Sequence, residues 1–325
     1  MILAGDIGGT NARLALFEQE GTSLNPIAEA TFASRAHVNL EAIVSQFRAT
    51  HPQPITQACF GVAGPVKHGR CEATNLPWVI DAQSLARGLS LTTVGLINDL
   101  EANAQGIAVL KPTDFVTLNP GETNAEGNAA LISAGTGLGE AGLYWDGAHY
   151  HPIASEGGHT DFAPSNDLEI DVLRYLLTQH ERVSWERVLS GPGLYNLYKF
   201  FRDTGWAKEP AWLTEELQQQ NPPSVITQAA LSQESLLCEL ALDLFVSLYG
   251  AEAGNLALKM RATGGLFIGG GIAPKLIEKL KGSTTFVDAF MAKGRMRSLL
   301  EAIPIQVILN DKTALWGAAV WAANH

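Results

Sequence analysis

The chain has 325 residues, 46% hydrophobic and 17% charged, with 22 basic against 33 acidic side chains and a net charge of −11. This length exceeds one compact core, so two domains are expected. Without a basic surplus to attract phosphate backbones or anionic lipid, general binding to nucleic acid or a membrane surface is excluded. Cys59, Cys71 and Cys238 are scattered and form neither a disulfide framework nor a Cys-x-x-Cys motif, which suits a reducing compartment. MILAGD lacks the basic and apolar regions of a secretory leader, and no run of about twenty uncharged apolar residues occurs, so a cytoplasmic location is expected.

The first informative stretch is GDIGGTNARLALF, Gly5 to Phe17. It does not match the Gly-x-x-x-x-Gly-Lys-Ser/Thr phosphate loop, and its glycines lead into a short apolar run rather than a helix. It reads as strand, turn, strand, with glycines allowing positive φ and close approach. Backbone N–H groups of such a turn can form an anion-binding concavity, to which Thr10 adds a hydroxyl. Read alone, it is equally a tight hairpin whose Asp6 and Thr10 bond the local backbone.

Along the chain, NLEAIVSQFRATH reads as a helix and ITQACFGVAGPV as a strand running into a turn. DAQSLARGL reads as a helix, TTVGLIND as a strand and LEANAQGIAVL as a helix, an alternation that predicts an α/β sheet with parallel pairing. KPTDFVTLNPGETNAEGN is polar and turn-rich, a candidate boundary. AALISAGTGLGEAGLYW, Ala129 to Trp145, then repeats the opening pattern and predicts two halves of similar design. Further on, a broad apolar segment from about Gln233 to Met260 predicts a buried helix pair or a dimer face. GGLFIGGGIAPKLIEKL reads as strand, glycine turn and helix, IPIQVILND as a strand, and KTALWGAAVWAAN as a closing helix expected to pack on the first domain.

GDIGGTNARLALF, TNLPWVID, INDLEANA, GTGLG, EGGHTDFAP, ERVLSGPGL and FIGGGIAPK occur in this order over nearly the whole chain. In these motifs the chain resembles the bacterial glucokinases of the actin–hexokinase–heat-shock ATPase superfamily. The resemblance implies an α/β, two-domain ribonuclease H-like (actin-like ATPase) fold with a hinge and an interdomain cleft. It places residues 1–110 with the C-terminal helix 311–325 in a small domain and residues 111–310 in a large one. It implies glucose and ATP as substrates, phosphorylation at the sugar 6-hydroxyl, and a homodimer.

By the same resemblance, Gly5, Asp6, Ile7, Gly8, Gly9 and Thr10 form the first phosphate turn, with Asp6 holding the ATP magnesium through water. Gly135, Thr136 and Gly137 form the second, and Gly270 lies beside the adenosine. By position alone Asn98 and Asp99 read as a helix cap. The resemblance instead makes Asp99 the general base, with Asn98, Asp99, Glu156, His159 and Glu186 binding the sugar. Several acceptors with a histidine suit a polyol, whose hydroxyls each donate to an oxygen. Without the resemblance, Glu156 and His159 read as a surface loop and Glu186 as an acid at a helix start. Asp161 is a weaker candidate, and Arg13 reads as an exposed strand arginine. No cysteine follows His159, so the zinc motif of related repressor-type kinases is not expected. The alternatives carried are a kinase for mannose, fructose or an N-acetylated amino sugar, a non-catalytic sugar sensor, and an actin-like filament or chaperone ATPase.

Overall fold

A computed structural model describes every residue except Thr22, Thr74 and Asn75. The first two residues of the TNLPWVID segment therefore lie outside the described residues. The chain divides into two compact units, one of Met1–Asp114, Ala148–Ala154 and Asn310–His325, the other of Phe115–Gly147 and Ser155–Leu309.

In the first unit the elements are β1 (Ile2–Ile7), β2 (Asn11–Glu20), β3 (Ser23–Ala33), α1 (Leu40–Thr50), β4 (Gln57–Val62), β5 (Val66–Lys67), β6 (Arg70–Glu72), β7 (Val79–Asp81), α2 (Ala82–Leu89), β8 (Gly95–Asn98) and α3 (Asp99–Gly106). The main sheet runs β3-β2-β1-β4-β8, antiparallel across the β1–β2 and β2–β3 pairs and parallel from β1 through β4 to β8. Central strand β1 is covered on both faces. Leu3 and Ile7 meet Ile43 and Phe47 of α1, while Ile2 and Ala4 meet the C-terminal helix. β3 was not foreseen from the sequence. It is an edge strand with mostly exposed side chains, and it tolerates Pro26 because one side of an edge needs no donor.

The helices start where a polar side chain can satisfy a free N–H. Asn39 accepts from Ala42 N at 2.9 Å to open α1, and Asp81 accepts from Ser84 N at 2.8 Å to open α2. α1 then buries Leu40, Ile43, Val44 and Phe47, the spacing of one helical face.

The second unit holds β9 (Phe115–Asn119), β10 (Ala129–Ala134) and β11 (Leu138–Trp145); β12 (Tyr150–Ala154) belongs to the first unit. After it come α4 (Asp167–Leu177), α5 (Gly191–Asp203), α6 (Ala211–Gln219), α7 (Pro222–Leu231), α8 (Leu236–Met260), β13 (Gly265–Gly269), α9 (Ile277–Gly282), α10 (Thr285–Met291), α11 (Arg297–Glu301) and β14 (Ile305–Ile308). The strands β11-β10-β13-β14 repeat the antiparallel–parallel–parallel pattern of the first unit, and β9 adds an antiparallel edge beside β14. β9 is a strand not foreseen within the turn-rich stretch 111–128, in which the division between the two units also falls, after Asp114. Its alternating Phe-Val-Thr-Leu was masked by flanking Pro and Gly, and its partner β14 lies far along the chain.

α8 corrects the expected helix pair. It is one 25-residue helix, mostly buried, with Leu236, Asp243 and Lys259 exposed. α12 (Thr313–Asn324) returns to the first unit, where Ala314, Leu315, Ala318, Ala319 and Ala322 pack on Ile2, Ala4, Cys59 and Ile97. α3 and α12 touch backbone to backbone. A Cβ on Gly106 would lie 2.1 Å from the Thr313 carbonyl oxygen, and one on Gly317 only 1.7 Å from that of Ala102.

Candidate active site

In the first unit the predicted residues gather at the carboxyl ends of parallel strands. Asp6 ends β1 directly across from Arg13 of β2 and in register with Gly61 of β4. Gly61 is in turn beside Ile97, so Asn98 lies two strands from Asp6, about 10 Å at the usual strand spacing. α3 comes this close because Gly61 lacks a side chain, its Cβ position being 2.7 Å from that of Ala102. Asn98 is the cap of α3, accepting from Leu100 N at 2.9 Å and donating Nδ2 to the Gly64 carbonyl at 3.0 Å. Asp99 Oδ1 also accepts from Leu100 N at 2.9 Å. The cap reading and the site reading thus fall on neighbouring residues: Asn98 closes the helix, and Asp99 stands at its first turn, where the helix dipole favours a negative charge.

Burial pushes the Asp6 carboxyl up to about 6; Arg13 opposes this, while Asp99 and Asp311 reinforce it. Arg13 is not simply an exposed strand arginine, since its guanidinium bonds Asp311 Oδ2 at 2.7 Å and the Asp311 carbonyl at 2.6 Å. Asp311 was missed from the sequence, although Asn310-Asp311 after an apolar strand repeats Asn98-Asp99. A desolvated carboxylate among like charges is a place that a hard divalent cation stabilises. Among the described residues no group of three or more His, Cys, Asp or Glu could hold a metal ion. A cation at Asp6 would therefore keep most of its water, as magnesium does. Magnesium fits this residue.

The turn Gly8-Gly9-Thr10 is held by Gly8 N to the Asn11 carbonyl at 2.9 Å and Ser34 Oγ to the Gly8 carbonyl at 2.7 Å. Neither Gly8, Gly9, Gly135 nor Gly137 has positive φ, which corrects the expected reason for glycine in both turns. Close approach is the reason instead. Gly5 faces the Phe60 ring, whose nearest carbon would be 2.4 Å from a Cβ. A Cβ on Gly135 would meet no protein atom within 4 Å, so a ligand can approach its backbone from that side. Gly270 does need its freedom, with φ of 82° and a Cβ position 2.3 Å from the Ala134 carbonyl oxygen.

In the second unit the Gly135-Thr136-Gly137 turn lies against the start of α5, whose Gly191 N donates to the Gly135 carbonyl at 2.8 Å. Together they border a cavity of about 1110 Å³, mostly apolar, that also reaches Gly271 and Ile272. Tyr195, Asn221, Gln228 and Lys275 line it and were missed from the sequence. The signal available was Asn221-Pro222-Pro223, a helix start rather than only a helix end: Asn221 caps α7 and Pro222 stands in its first turn. Tyr249 was missed too. Its buried hydroxyl accepts from Ala134 N at 3.3 Å and lies 3.5 Å from the Gly269 carbonyl, tying together the backbone before both glycine turns.

His159 and Glu186 line one polar pocket of about 460 Å³ with Arg182 and Arg187. Glu156 precedes the tight turn Gly157–His159, closed by His159 N to the Glu156 carbonyl at 3.0 Å. Glu186 does not open a full helix; it sits in a single 3-10 turn, Trp185–Arg187, and its Oε2 accepts from Leu138 N at 3.0 Å. One carboxylate oxygen is thereby fixed to the end of the Gly135-Thr136-Gly137 turn. Asp161 forms an ion pair with Arg182 at 2.8 Å, and Arg182 also donates to the His159 carbonyl. Trp185 is buried against Phe162 and serves packing.

Two sheets of one design, each with a glycine turn closing its first hairpin, and acids at strand ends in the first, define an actin-like ATPase fold of the sugar-kinase type. A family model described as glucokinase matches residues 3–325. A glucokinase of Nostoc sp. (strain PCC 7120) is 44% identical over 340 residues, covering 100% of this chain and 99% of that protein. A solved glucokinase from an Antarctic psychrotroph superposes with a TM-score of 0.87 at 33% identity, covering 100% of this chain and 99% of that one. The fold is shared with a ROK family glucokinase from Streptomyces griseus, solved with glucose and AMPPNP (TM-score 0.66, 20% identity, 100% and 99% covered). The chain belongs to the glucokinase family.

Proposed function

We propose that the chain transfers the γ-phosphoryl group of ATP to the 6-hydroxyl of D-glucose, giving glucose 6-phosphate and ADP. The observation that carries this is the end of the first unit's sheet, where Asp99 opens α3 beside a desolvated Asp6, in a chain matching the glucokinase family throughout. Asp99 would accept the proton of the 6-hydroxyl as O6 bonds the γ-phosphorus and ADP leaves with the bridging oxygen's electron pair. Such transfer is loose, so the base orients the hydroxyl and takes its proton late. Asn98, Glu156, His159 and Glu186 would hold the other sugar hydroxyls.

The adenosine would occupy the cavity bordered by Thr136, Tyr195 and Gln228, with the phosphates reaching the open backbone at Gly135. The N-terminus of α5 favours negative charge there. Asp6 would hold the nucleotide's magnesium through water; when bound, that ion neutralises charge on the phosphates. We place this work in the cytoplasm, a reading supported by three free, buried cysteines; among the described residues no helix is long and apolar enough to cross a membrane. The proposed homodimer rests on family likeness.

The test is glucose-dependent ADP release with magnesium, wild type against Asp99→Asn. Turnover falls by about a hundredfold or more in the variant while calorimetry still detects glucose binding. Near-normal turnover removes Asp99 from the role of base. The same assay over mannose, fructose and N-acetylglucosamine sets the sugar range.

A further inference from the structure

Glu140 of β11 is only 1% exposed, and its two carboxyl oxygens have no hydrogen-bond partner of ordinary geometry. Above it lies Gly157, whose Cβ position would be 2.0 Å from Glu140 Oε2 and 3.1 Å from its Cβ. The next residue, Gly158, rests on the same strand, its Cβ position being 2.0 Å from the Leu138 carbonyl oxygen. Glu140 therefore forms the floor of the tight turn that carries Glu156 at one end and His159 at the other.

Charged groups surround it from several elements. From α8 come Glu252, fully buried, and Lys259, whose Nζ is 3.3 Å from Glu252 Oε1. Asn255 donates to Glu252 Oε2 at 2.7 Å. Just after α10, Lys293 donates to Asn255 Oδ1 at 2.7 Å and to the Ala251 carbonyl at 2.9 Å. From α4 comes Glu169, 3% exposed, with its oxygens on Ser165 and Asn166. Glu140 and Glu252 are buried carboxyls with one half-exposed ammonium, Lys259, acting on them, so with both ionised they carry one negative charge too many. A single proton on Glu140 makes the group neutral, and Glu252 is the neighbour able to accept its hydrogen.

We propose that Glu140 is a positioning residue that acts as a neutral acid, sharing its proton with Glu252 and so holding the Gly157–His159 turn at the height from which Glu156 and His159 meet the sugar. This deepens the kinase reading above and rests on it. Burial is the main cause that raises the Glu140 carboxyl, to about 8, with the Glu252 charge and the shared proton adding to it and Lys259 opposing. Ionisation leaves an uncompensated charge under Gly157, and the floor must then move or take up water, carrying the turn with it. Two carboxyls that share a buried proton are a recognised way of keeping one neutral at ordinary pH.

The experiment measures glucose affinity by calorimetry and glucose KM by ADP release, from pH 6.5 to 9.5, for wild type, Glu140→Gln and Glu140→Ala. Wild-type affinity and 1/KM for glucose should fall about tenfold between pH 7 and pH 9, as a single required proton with its midpoint near 8 dictates. Glu140→Gln, neutral at all pH and of the same shape, keeps wild-type affinity at pH 7 and loses that alkaline fall. Glu140→Ala raises glucose KM at every pH more than it changes kcat. A wild-type affinity that is flat to pH 9.5, or a Glu140→Gln profile with the same fall as wild type, overturns the proposal without needing the alanine variant to fold. A wild type that turns over no sugar would instead overturn the kinase reading, which separates the two failures.

Discussion

Replacing Gly317 by alanine sets two effects of opposite sign against each other, and the geometry decides between them. Helix propensity alone favours alanine by about 1 kcal/mol. But the new Cβ would lie 1.7 Å from the Ala102 carbonyl oxygen and 2.7 Å from Gly106 N, and both are backbone atoms with no rotamer to change. Restoring an ordinary contact of about 3.4 Å requires α3 and α12 to part by roughly 1.7 Å. A gap of even 1 Å forfeits a quarter to a half of each contact's dispersion energy. The packing loosened includes Ala314, Leu315 and Ala318 against Ile97 and Cys59. Overpacking of this kind costs about 1–3 kcal/mol, and contact with rigid backbone puts it at or above the upper end, so the net loss is about 2–3 kcal/mol. For a chain of this size, with an unfolding entropy of about 0.7 kcal/mol/K, that lowers the melting temperature by about 3–4 °C in scanning calorimetry. Because Asp99 stands at the first turn of α3, kcat falls in the still-folded variant at 20 °C, while KM for ATP changes less than about twofold. An unchanged or higher melting temperature would refute the backbone-contact argument and leave propensity as the winner.

Replacing Asp6 by asparagine separates stability from activity. In the fold the Asp6 carboxyl titrates near 6, above its ordinary 3.8, so the folded state holds the proton more tightly than the unfolded one. The destabilisation from ionising it is absent below about pH 4, grows between 4 and 6, and is complete above that. Asp6→Asn should therefore melt above wild type at pH 7.5, with the gap closing near pH 4, while magnesium-dependent turnover is lost; equal melting temperatures at both pH values would contradict this. Gly137→Ala places a Cβ 2.5 Å from Glu186 Oε2, the movable end of a side chain, so the carboxylate swings off Leu138 N. Losing that hydrogen bond costs about 1.5–3 kcal/mol of stability, and the displaced carboxylate raises glucose KM about tenfold or more. An unchanged KM would mean that the turn does not position Glu186.

What could be read from the chain beforehand was what leaves a local trace. The β1–β2 and β10–β11 hairpins carry apolar runs around a glycine turn, and the parallel strands are continuous apolar segments before polar caps. The edges were not legible in the same way. β3 is mostly exposed and interrupted by Pro26, and β9 is a short run whose only support is a strand almost two hundred residues later. Site residues divide similarly. Asp6, Asn98 and Asp99 lie on or just after apolar strands, where a polar residue stands out. Tyr249 and Glu140 lie in apolar context far from the turns they support, and only folding brings them there. Positive φ, the expected reason for glycine in the two turns, does not hold at Gly8, Gly9, Gly135 or Gly137. At Gly61, Gly106 and Gly317 absence of a side chain is what matters, since neighbouring backbone or Cβ atoms occupy its place.

The repeated sheet also explains where acids are and are not allowed. In the first unit, Asp6, Asp99 and Asp311 act on one another at the strand ends, and the cost is visible in the raised Asp6. A cation or a substrate proton can discharge that repulsion, so the acids are useful there. The matching hairpin in the second unit has no acid from Ser133 to Gly139 and offers open backbone at Gly135 beside the start of α5. That arrangement suits the anionic tail of a nucleotide, which any fixed negative charge would repel. Glu140 follows directly on this stretch and would break the pattern if it were ionised. Burial beside Glu252 raises its carboxyl, which favours the neutral acid and leaves this stretch without a fixed negative charge near neutral pH.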